Sequence, residues 1–219
     1  MTSLKSFNHI LHSKSPLIVE IFDFISDHEN QQLFEYIETK EFKESLVVGD
    51  EGDPAEHTNN ERTSKSIYMN VFENNISEIL SSRIADLNNA HVYQLSCLQM
   101  IRYEKGEKFT PHYDKFFTDD VSIIGNRGQR LASSLLYLNE DYIGGKLSFP
   151  KLDISIKPKK NSLVFFKYDG DGWEDTLHSS GRIIKGSKYA MLCLLYEAAH
   201  EGKELPTTFN PDIEILTLT

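Results

Sequence analysis

The chain has 219 residues, of which 39% are hydrophobic and 26% carry a charged side chain. This length and composition are those of a soluble globular protein that buries an apolar core without disulfides or a structural metal, which excludes disorder over most of the chain. The formal net charge of −10 argues against nucleic acid as a partner, because a surface that follows phosphates needs clustered positive charge. We therefore expect a single domain over residues 1–219.

The N-terminal residues and the cysteines bear on location. Residues 1–16 are polar, without a basic start followed by an apolar run, and no stretch of the sequence approaches the ~20 apolar residues of a membrane span. Cys97 and Cys193 each lie in an apolar, strand-like run, which favours reduced, buried thiols over a secreted disulfide framework. We expect a cytoplasmic protein that is not inserted in a membrane.

The first predicted elements are a strand and two helices. Residues 17–22 are rich in β-branched side chains and predict a strand, after which Ser26 or Asp27 can cap a helix. The apolar face of that helix contains Leu33, Phe34 and Ile37. A second helix is predicted over about residues 73–87, where apolar residues recur at helical spacing.

Repeated strand patterns fill the second half of the sequence, separated by turn clusters of Gly, Asn and Asp. The predicted strands are residues 93–103, 131–138, 146–149, 154–157, 162–166 and 188–196. Helices followed by many strands favour an α+β domain, in which antiparallel sheets form a sandwich or open barrel and the helices cover one sheet.

Within this domain we expect a strand-rich core at about residues 90–197 and a supporting N-terminal part at residues 16–89. Residues 42–48 look extended, whereas residues 49–64 are rich in Gly, Asp, Pro and Asn and predict a long exposed loop. Loops of that length in compact domains are often lids. Residues 201–219 contain two prolines and no clear period, which predicts a tail that packs across the surface or is partly mobile.

The pair His112 and Asp114 is the first candidate for chemistry. On an extended segment, a spacing of two residues points both side chains to the same face. His178 lies far along the chain beside a polar turn, and a neighbouring strand could supply it as a third ligand. Two histidines and one carboxylate on one face are typical of non-haem Fe(II) oxygenases, because the opposite coordination positions stay open for a chelating cosubstrate and O2.

Lys188 adds to this pattern, since it lies ten positions after His178 at the start of the last apolar strand. A lysine that enters such a strand is costly to bury without a partner anion. A dicarboxylate cosubstrate would supply the missing negative charge. The alternative is a lysine at a strand end that extends its amine to water.

In these motifs the chain resembles the prolyl 4-hydroxylase branch of the Fe(II)/2-oxoglutarate-dependent dioxygenases, over roughly residues 16–196. Many short matches occur in the family's order. They are Arg62-Thr63-Ser64, Gln99-Met100-Ile101-Arg102-Tyr103, His112-Tyr113-Asp114, Arg130, Leu135-Leu136-Tyr137-Leu138-Asn139, Gly144-Gly145, Phe149-Pro150, Lys157-Pro158-Lys159-Lys160, Leu177-His178 and Gly186-Ser187-Lys188.

The resemblance implies a double-stranded β-helix, or jelly roll, with the metal between two sheets. It implies that Lys188 pairs with the distal carboxylate of 2-oxoglutarate, that Tyr103 and Tyr137 contact the cosubstrate, and that Arg130 contacts the substrate. A core tyrosine and a surface charge are the alternatives for Tyr137 and Arg130. The implied cofactors are Fe(II), 2-oxoglutarate and O2, and ascorbate is a further candidate because many relatives use it as a reductant. No side chain beyond the metal and cosubstrate ligands is implied in catalysis.

The implied reaction is hydroxylation of a C–H bond, with a proline in a peptide or protein as the favoured substrate and succinate and CO2 as products. Two departures bear on that substrate. Leu147 replaces a threonine of many collagen-type members, and Leu194 replaces a tryptophan of several members. A free amino acid or other small metabolite therefore remains an alternative substrate, and a catalytically silent jelly-roll binding protein is an alternative of a different class. The sequence does not indicate an oligomeric state.

The loops at residues 49–64 and 115–129 flank the expected entrance of the site. Their glycines and short polar residues, with few apolar anchors, predict segments that close over a peptide.

Overall fold

A computed structural model describes residues 7–48, 56–57, 60–119, 124–168, 170 and 172–200. The described residues form two α-helices, α1 (Asp27–Glu38) and α2 (Asn75–Asn88), together with sixteen strands. The strands are β1 (His9–Lys14), β2 (Leu17–Ile21), β3 (Lys43–Glu44), β4 (Val47–Val48), β5 (Glu56–His57), β6 (Lys65–Met69), β7 (Leu98–Tyr103), β8 (Phe109–His112), β9 (Arg130–Tyr137), β10 (Ile143–Gly144), β11 (Leu147–Phe149), β12 (Ile154–Ile156), β13 (Leu163–Lys167), β14 (His178–Ser180), β15 (Ile183–Lys185) and β16 (Lys188–Tyr196).

Two antiparallel sheets build the domain. The large sheet has the order β1-β2-β13-β9-β16-β7-β6-β3, and the small sheet has the order β12-β11-β14-β8. Several neighbours in these sheets, such as β2 and β13 or β8 and β14, are distant in sequence, so the chain passes back and forth between the sheets, as in a jelly roll. The pairs β10–β15 and β4–β5 form two short ribbons.

The two faces of the large sheet have different partners. On the outer face, Leu33 of α1 and Leu80 of α2 pack with Met191 and Phe165 in one buried cluster. On the inner face, Phe166 packs with side chains of the small sheet in a second cluster. The prediction of an α+β jelly roll with its N-terminal helices on one sheet is therefore confirmed.

Helix α1 begins with a reciprocal cap. Ser26 Oγ accepts from the backbone N–H of Glu29 at 3.2 Å, and the Ser26 N–H donates to the Glu29 carboxylate at 2.7 Å. Replacing Ser26 with Ala removes one half of this cap, so we expect the free energy of unfolding to fall by about 1 kcal/mol. Urea denaturation would measure the change, and an unchanged midpoint would show that the cap does not stabilise the fold.

The predicted strand at residues 17–22 and both helices are confirmed within one or two residues. The strand predicted over residues 93–103 was too long, because a 3-10 turn at Val92–Gln94 precedes β7. Cys97 therefore lies just before the strand and is only partly buried, whereas Cys193 is buried as predicted. Within the described part of the chain, neither helix is long and apolar enough to span a membrane.

Strand β1 was not predicted, because residues 1–16 lack an apolar alternation. It lies at the edge of the large sheet, paired only with β2, and its residue Ile10 is exposed. An edge strand needs few apolar side chains, so the hydrophobic pattern carries little information there. The tail at residues 201–219, and residues 49–55 and 120–123 of the two predicted loops, lie outside the described residues.

Candidate metal and cosubstrate site

The small sheet brings the three predicted metal ligands together. Strand β8 ends at His112, and β14 begins at His178, which is its direct cross-strand partner. Asp114 follows β8 and points to the same side as His112. A spacing of two residues and one strand pairing therefore join ligands that are far apart in sequence.

The nitrogen and oxygen atoms of these side chains converge. One Asp114 oxygen lies 3.8 Å from His112 Nε2, and the other lies 3.6 Å from His178 Nε2. One ligand atom from each residue can be chosen so that all three lie within 4.8 Å of one another. This spacing suits a single ion bound by two imidazoles and one carboxylate on one face.

Backbone carbonyls orient both imidazoles. His112 Nδ1 lies 2.8 Å from the Thr110 carbonyl, and His178 Nδ1 lies 3.0 Å from the Thr176 carbonyl. Since a carbonyl only accepts, each Nδ1 carries the proton and each Nε2 presents its lone pair toward Asp114. The correct tautomers for metal binding are thus fixed by the local backbone.

The electrostatics also favour a metal. Burial lowers the pKa of His112 to about 3, so its imidazole is neutral at neutral pH. Burial alone would raise the pKa of Asp114, but the two imidazoles and the Ser133 hydroxyl lower it, and the carboxyl is ionised. A neutral His112 imidazole and a charged Asp114 carboxylate are protonation states that suit a divalent cation.

Ser133 is a supporting residue that the sequence did not reveal. Its hydroxyl donates to Asp114 Oδ2 at 2.5 Å, and it lies on the inner face of β9. Removing such a support typically lowers metal affinity 10- to 100-fold, so we expect a loss of this size in Ser133→Ala. The matched control is Ser134→Ala, because the neighbouring serine is equally buried but points to the other face. Co(II) titration would measure both, and equal affinities in the two variants would contradict a role for the hydroxyl.

Lys188 is buried in the same cavity, with 2% of its surface exposed. Its amine donates to the Gly145 carbonyl at 3.2 Å and to the Ser180 hydroxyl, and it lies 4.3 Å from the centre of the Tyr103 ring. No ion pair joins it to a carboxylate among the described residues. Burial accordingly lowers its pKa from 10.5 to about 7.

Both predicted cosubstrate tyrosines lie near this amine. Tyr103 is the cross-strand partner of Lys188, and the Tyr137 ring centre lies 6.0 Å from the amine. Both side chains are buried, and burial raises the pKa of each hydroxyl. A cavity of about 1290 Å3 connects these residues with the three ligands.

Arg130 lies at the metal side of this cavity. Its guanidinium donates to the Asp114 backbone carbonyl at 3.1 Å and to the Tyr196 hydroxyl at 3.2 Å, and it lies 4.3 Å from the centre of the Phe116 ring. It is thus packed against the segment that carries Asp114. Contact with a substrate stays a prediction.

The first part of the predicted loop at residues 115–129 is anchored. The Gln129 carboxamide accepts from the Phe116 N–H at 2.8 Å and donates to the Phe116 carbonyl at 3.1 Å. Phe117 also packs edge-on against Tyr113 and Trp173. Hydrogen bonds and ring contacts therefore hold this part of the loop, although the Phe117 side chain is 73% exposed.

Comparison with known proteins agrees with this geometry. Residues 98–196 match the family model of the 2OG-Fe(II) oxygenase superfamily. The chain is similar to this superfamily over that stretch. The match contains all three metal ligands and Lys188, so the predicted family resemblance is confirmed.

Relatives of the chain include prolyl 4-hydroxylases. The chain is 29% identical over 201 residues to prolyl 4-hydroxylase subunit alpha-1 of Gallus gallus, covering 89% of this chain and 38% of that protein. It is 28% identical over 200 residues to prolyl 4-hydroxylase 5 of Arabidopsis thaliana, covering 81% of this chain and 67% of that protein. The chain thus spans less than two fifths of the length of the chicken relative.

A solved structure shares the fold of this chain. The viral collagen prolyl hydroxylase of Paramecium Bursaria Chlorella virus-1, solved as a 2OG complex, superposes with a TM-score of 0.63 at 23% identity, covering 83% of this chain and 96% of that chain. At this identity the likeness supports the jelly-roll fold.

The side chains of the site fit Fe(II) and 2-oxoglutarate. The ligand set matches the facial arrangement of two histidines and one carboxylate for iron. Among the described residues, the buried Lys188 amine donates hydrogen bonds only to neutral acceptors. It can therefore bind the distal carboxylate of a dicarboxylate in the same cavity. Iron therefore suits the end of the cavity with the three ligands, and the distal carboxylate of 2-oxoglutarate suits the end with Lys188.

Proposed function

We propose that this oxygenase hydroxylates a C–H bond with consumption of 2-oxoglutarate and O2, and that its substrate is a proline in a peptide or protein. One observation carries the proposal. His112, Asp114 and His178 line the same cavity as Lys188, a buried amine without a carboxylate partner among the described residues. Iron with 2-oxoglutarate and O2 supplies the oxidising power, yielding succinate, CO2 and a hydroxylated substrate.

The chain's own residues bind and orient the reactants. His112 and His178 would hold iron through Nε2, since their Nδ1 protons are engaged by backbone carbonyls. Lys188 Nζ holds one end of the cosubstrate, with Tyr103 and Tyr137 beside it. No side chain needs to act as a nucleophile or general base, because orientation at two fixed ends defines the geometry.

Exclusion of water is the other task of the protein. The cosubstrate end is enclosed by buried side chains, including Tyr103, Tyr137 and Leu147. Tyr113 and Phe116 line the metal side of the cavity. Phe116 belongs to the predicted loop at residues 115–129, and Tyr113 lies just before it. A dry cavity protects the surroundings from an oxidant that is not coupled to substrate.

A peptidyl proline is favoured because the relatives are prolyl 4-hydroxylases and the solved neighbour is a collagen prolyl hydroxylase. The cavity also suits a peptide in size, since about 1290 Å3 exceeds the usual range for small-molecule sites. A free amino acid is the second candidate, supported by Leu147, which is buried where many collagen-type members have a polar threonine.

Succinate release tests this proposal. The protein would be supplied with Fe(II), 2-oxoglutarate and either proline-containing peptides or a panel of free amino acids, and products would be read by mass spectrometry as a gain of one oxygen. We expect release coupled to a peptide and absent in Asp114→Asn. Coupling to a free amino acid alone would refute the peptide substrate, and no coupled release with either class would refute the hydroxylase assignment.

Three further proposals accompany this one. We propose that ascorbate sustains turnover as a reductant, that the protein is cytoplasmic, and that the first part of the loop at residues 115–129 contacts the substrate peptide. Omission of ascorbate would show its effect on the number of turnovers, and protease cleavage in that loop with and without peptide would test the contact. Cell fractionation would test the location.

A further inference from the structure

The two histidine ligands have unequal surroundings. The His178 side chain is 5% exposed, and its ring lies 4.8 Å from the Phe166 ring and 5.8 Å from the Phe149 ring, between the two sheets. The His112 side chain is 20% exposed and lies on β8, at the edge of the small sheet. The hydrophobic core therefore fixes one imidazole, whereas the other needs a different support.

Phe109 provides that support from the same strand. Its ring is stacked on the His112 imidazole with a centroid distance of 3.5 Å and an interplanar angle of 13°. The Arg62 guanidinium carbon lies 5.0 Å from the centre of the same Phe109 ring. The Phe109 ring therefore lies against both the imidazole and the guanidinium.

Arg62 itself is held firmly. It is 9% exposed, its Nε donates to Ser64 Oγ at 3.2 Å, and its Nη1 donates to the Leu46 carbonyl at 3.1 Å. Backbone pairing adds to this, since Arg62 and Phe109 form an antiparallel bridge. The three groups thus form one unit, in which the Phe109 ring joins the Arg62 guanidinium to the His112 imidazole.

We propose that Phe109 and Arg62 are positioning residues for the metal ligand His112, an inference that rests on the proposed iron site. The terminal torsion of a histidine is broad, so a hydrogen bond at Nδ1 alone leaves the ring free to tilt. A parallel ring at 3.5 Å limits that tilt and keeps Nε2 directed toward Asp114. The guanidinium attracts the face of the phenyl ring and holds it in the stacked position.

The unit has a consequence for coordination. Supports of this kind act on the affinity and the ligand field of the metal, and they do so before any cosubstrate or substrate binds. Co(II) reports both quantities, because its visible absorption depends on the geometry of its ligands. The effect of the unit is therefore measurable without turnover.

The test compares Co(II) titrations of four variants of the full chain. In Phe109→Leu and Arg62→Met the ring or the guanidinium is lost while the apolar bulk is kept, and Phe109→Tyr restores the ring. Arg102→Met is the matched control, because the Arg102 guanidinium lies 4.7 Å from the centre of the Phe42 ring, a cation–π pair that does not contact a metal ligand.

We expect Phe109→Leu to weaken Co(II) binding 10- to 100-fold, Arg62→Met to weaken it several-fold, and both to shift the visible bands. We expect Phe109→Tyr and Arg102→Met to stay within twofold of the parent protein, with an unshifted spectrum. Melting temperatures of the metal-free proteins would separate a loss of stability from a loss of ligand position.

Parent affinity and an unshifted spectrum in Phe109→Leu would overturn the inference and leave the iron site intact. An equal loss of Co(II) affinity in Arg102→Met would also overturn the inference, because the loss would then reflect lower protein stability and not the position of His112. Failure of the parent protein to bind Co(II) would overturn both the inference and the proposed function.

Discussion

The variant Asp114→Asn is expected to bind Fe(II) more than about a hundredfold more weakly than the parent protein, which exceeds the range for the loss of a supporting residue. The substitution keeps the size of the side chain but removes the only carboxylate of the ligand set. Its backbone carbonyl, which accepts from Arg130, is unaffected, so the surrounding packing is preserved. The loss is therefore one of coordination and charge.

Anaerobic titration with Fe(II) and 2-oxoglutarate would measure this effect, because the chelate of the two has a visible charge-transfer band. The band should form in the parent protein and disappear in Asp114→Asn. The control is Asp119→Asn, an exposed aspartate five residues along the same segment. A full band in Asp114→Asn would remove this residue from the ligand set, and loss of the band in both variants would assign the effect to the segment as a whole.

The convergence of the three predicted ligands could be expected in part from the sequence, because two of them are only two positions apart. The alternation of side chains along a strand places His112 and Asp114 on one side without any knowledge of the fold. The third ligand depends on the register between β8 and β14, in which His178 faces His112. Spacing within the sequence cannot determine that register, and the ordered family motifs supplied it.

The supporting residues were not predictable in the same way. Ser133 lies in an apolar strand where a serine has no distinctive pattern, and its role depends on a 2.5 Å contact with a side chain 19 positions earlier. Phe109 and Arg62 look like an ordinary aromatic residue and an ordinary loop cation until the bridge between their segments is known. Contacts set by tertiary packing decide these roles.

For Lys188, the sequence pattern and the tertiary contacts each supply part of the answer. Its position at the start of an apolar strand predicted a buried amine that seeks an anion, and the buried amine is present. The structure adds that its hydrogen-bond partners are a carbonyl and a hydroxyl, so the charged form is poorly compensated without a ligand. That imbalance has two measurable consequences, one for cosubstrate affinity and one for stability.

Affinity for 2-oxoglutarate should depend on pH through Lys188. Its pKa is lowered to about 7 by burial, and the distal carboxylate binds only the charged amine, so binding above pH 7 requires uptake of a proton. We expect affinity to be highest below pH 7 and to fall by up to tenfold per unit above it, until the pKa of the bound state is reached. Calorimetry with the Mn(II)-loaded protein would measure this dependence, and Lys188→Met should bind weakly with a flat profile.

Pyruvate is the control ligand, because it keeps the keto acid but lacks the distal carboxylate. Its affinity should change little with pH and little in Lys188→Met. A parallel pH dependence for both ligands would assign the titration to the metal end of the cavity, and a flat profile for 2-oxoglutarate would show that Lys188 is already charged in the free protein.

The second consequence of the buried Lys188 amine is a change of protein stability with pH. The folded-state pKa of Lys188 lies below its ordinary value of 10.5, so the penalty for the buried charge is fully present below pH 7 and declines between pH 7 and 10.5 as the folded state releases its proton. Lys188→Met removes that penalty, so the metal-free variant should melt above the parent protein at pH 6, by an amount that shrinks toward pH 10. A variant that melts lower at pH 6 would show that the lysine is a structural residue. A variant that is more stable yet unable to bind 2-oxoglutarate would show that the buried amine is kept for its ligand at the expense of the fold.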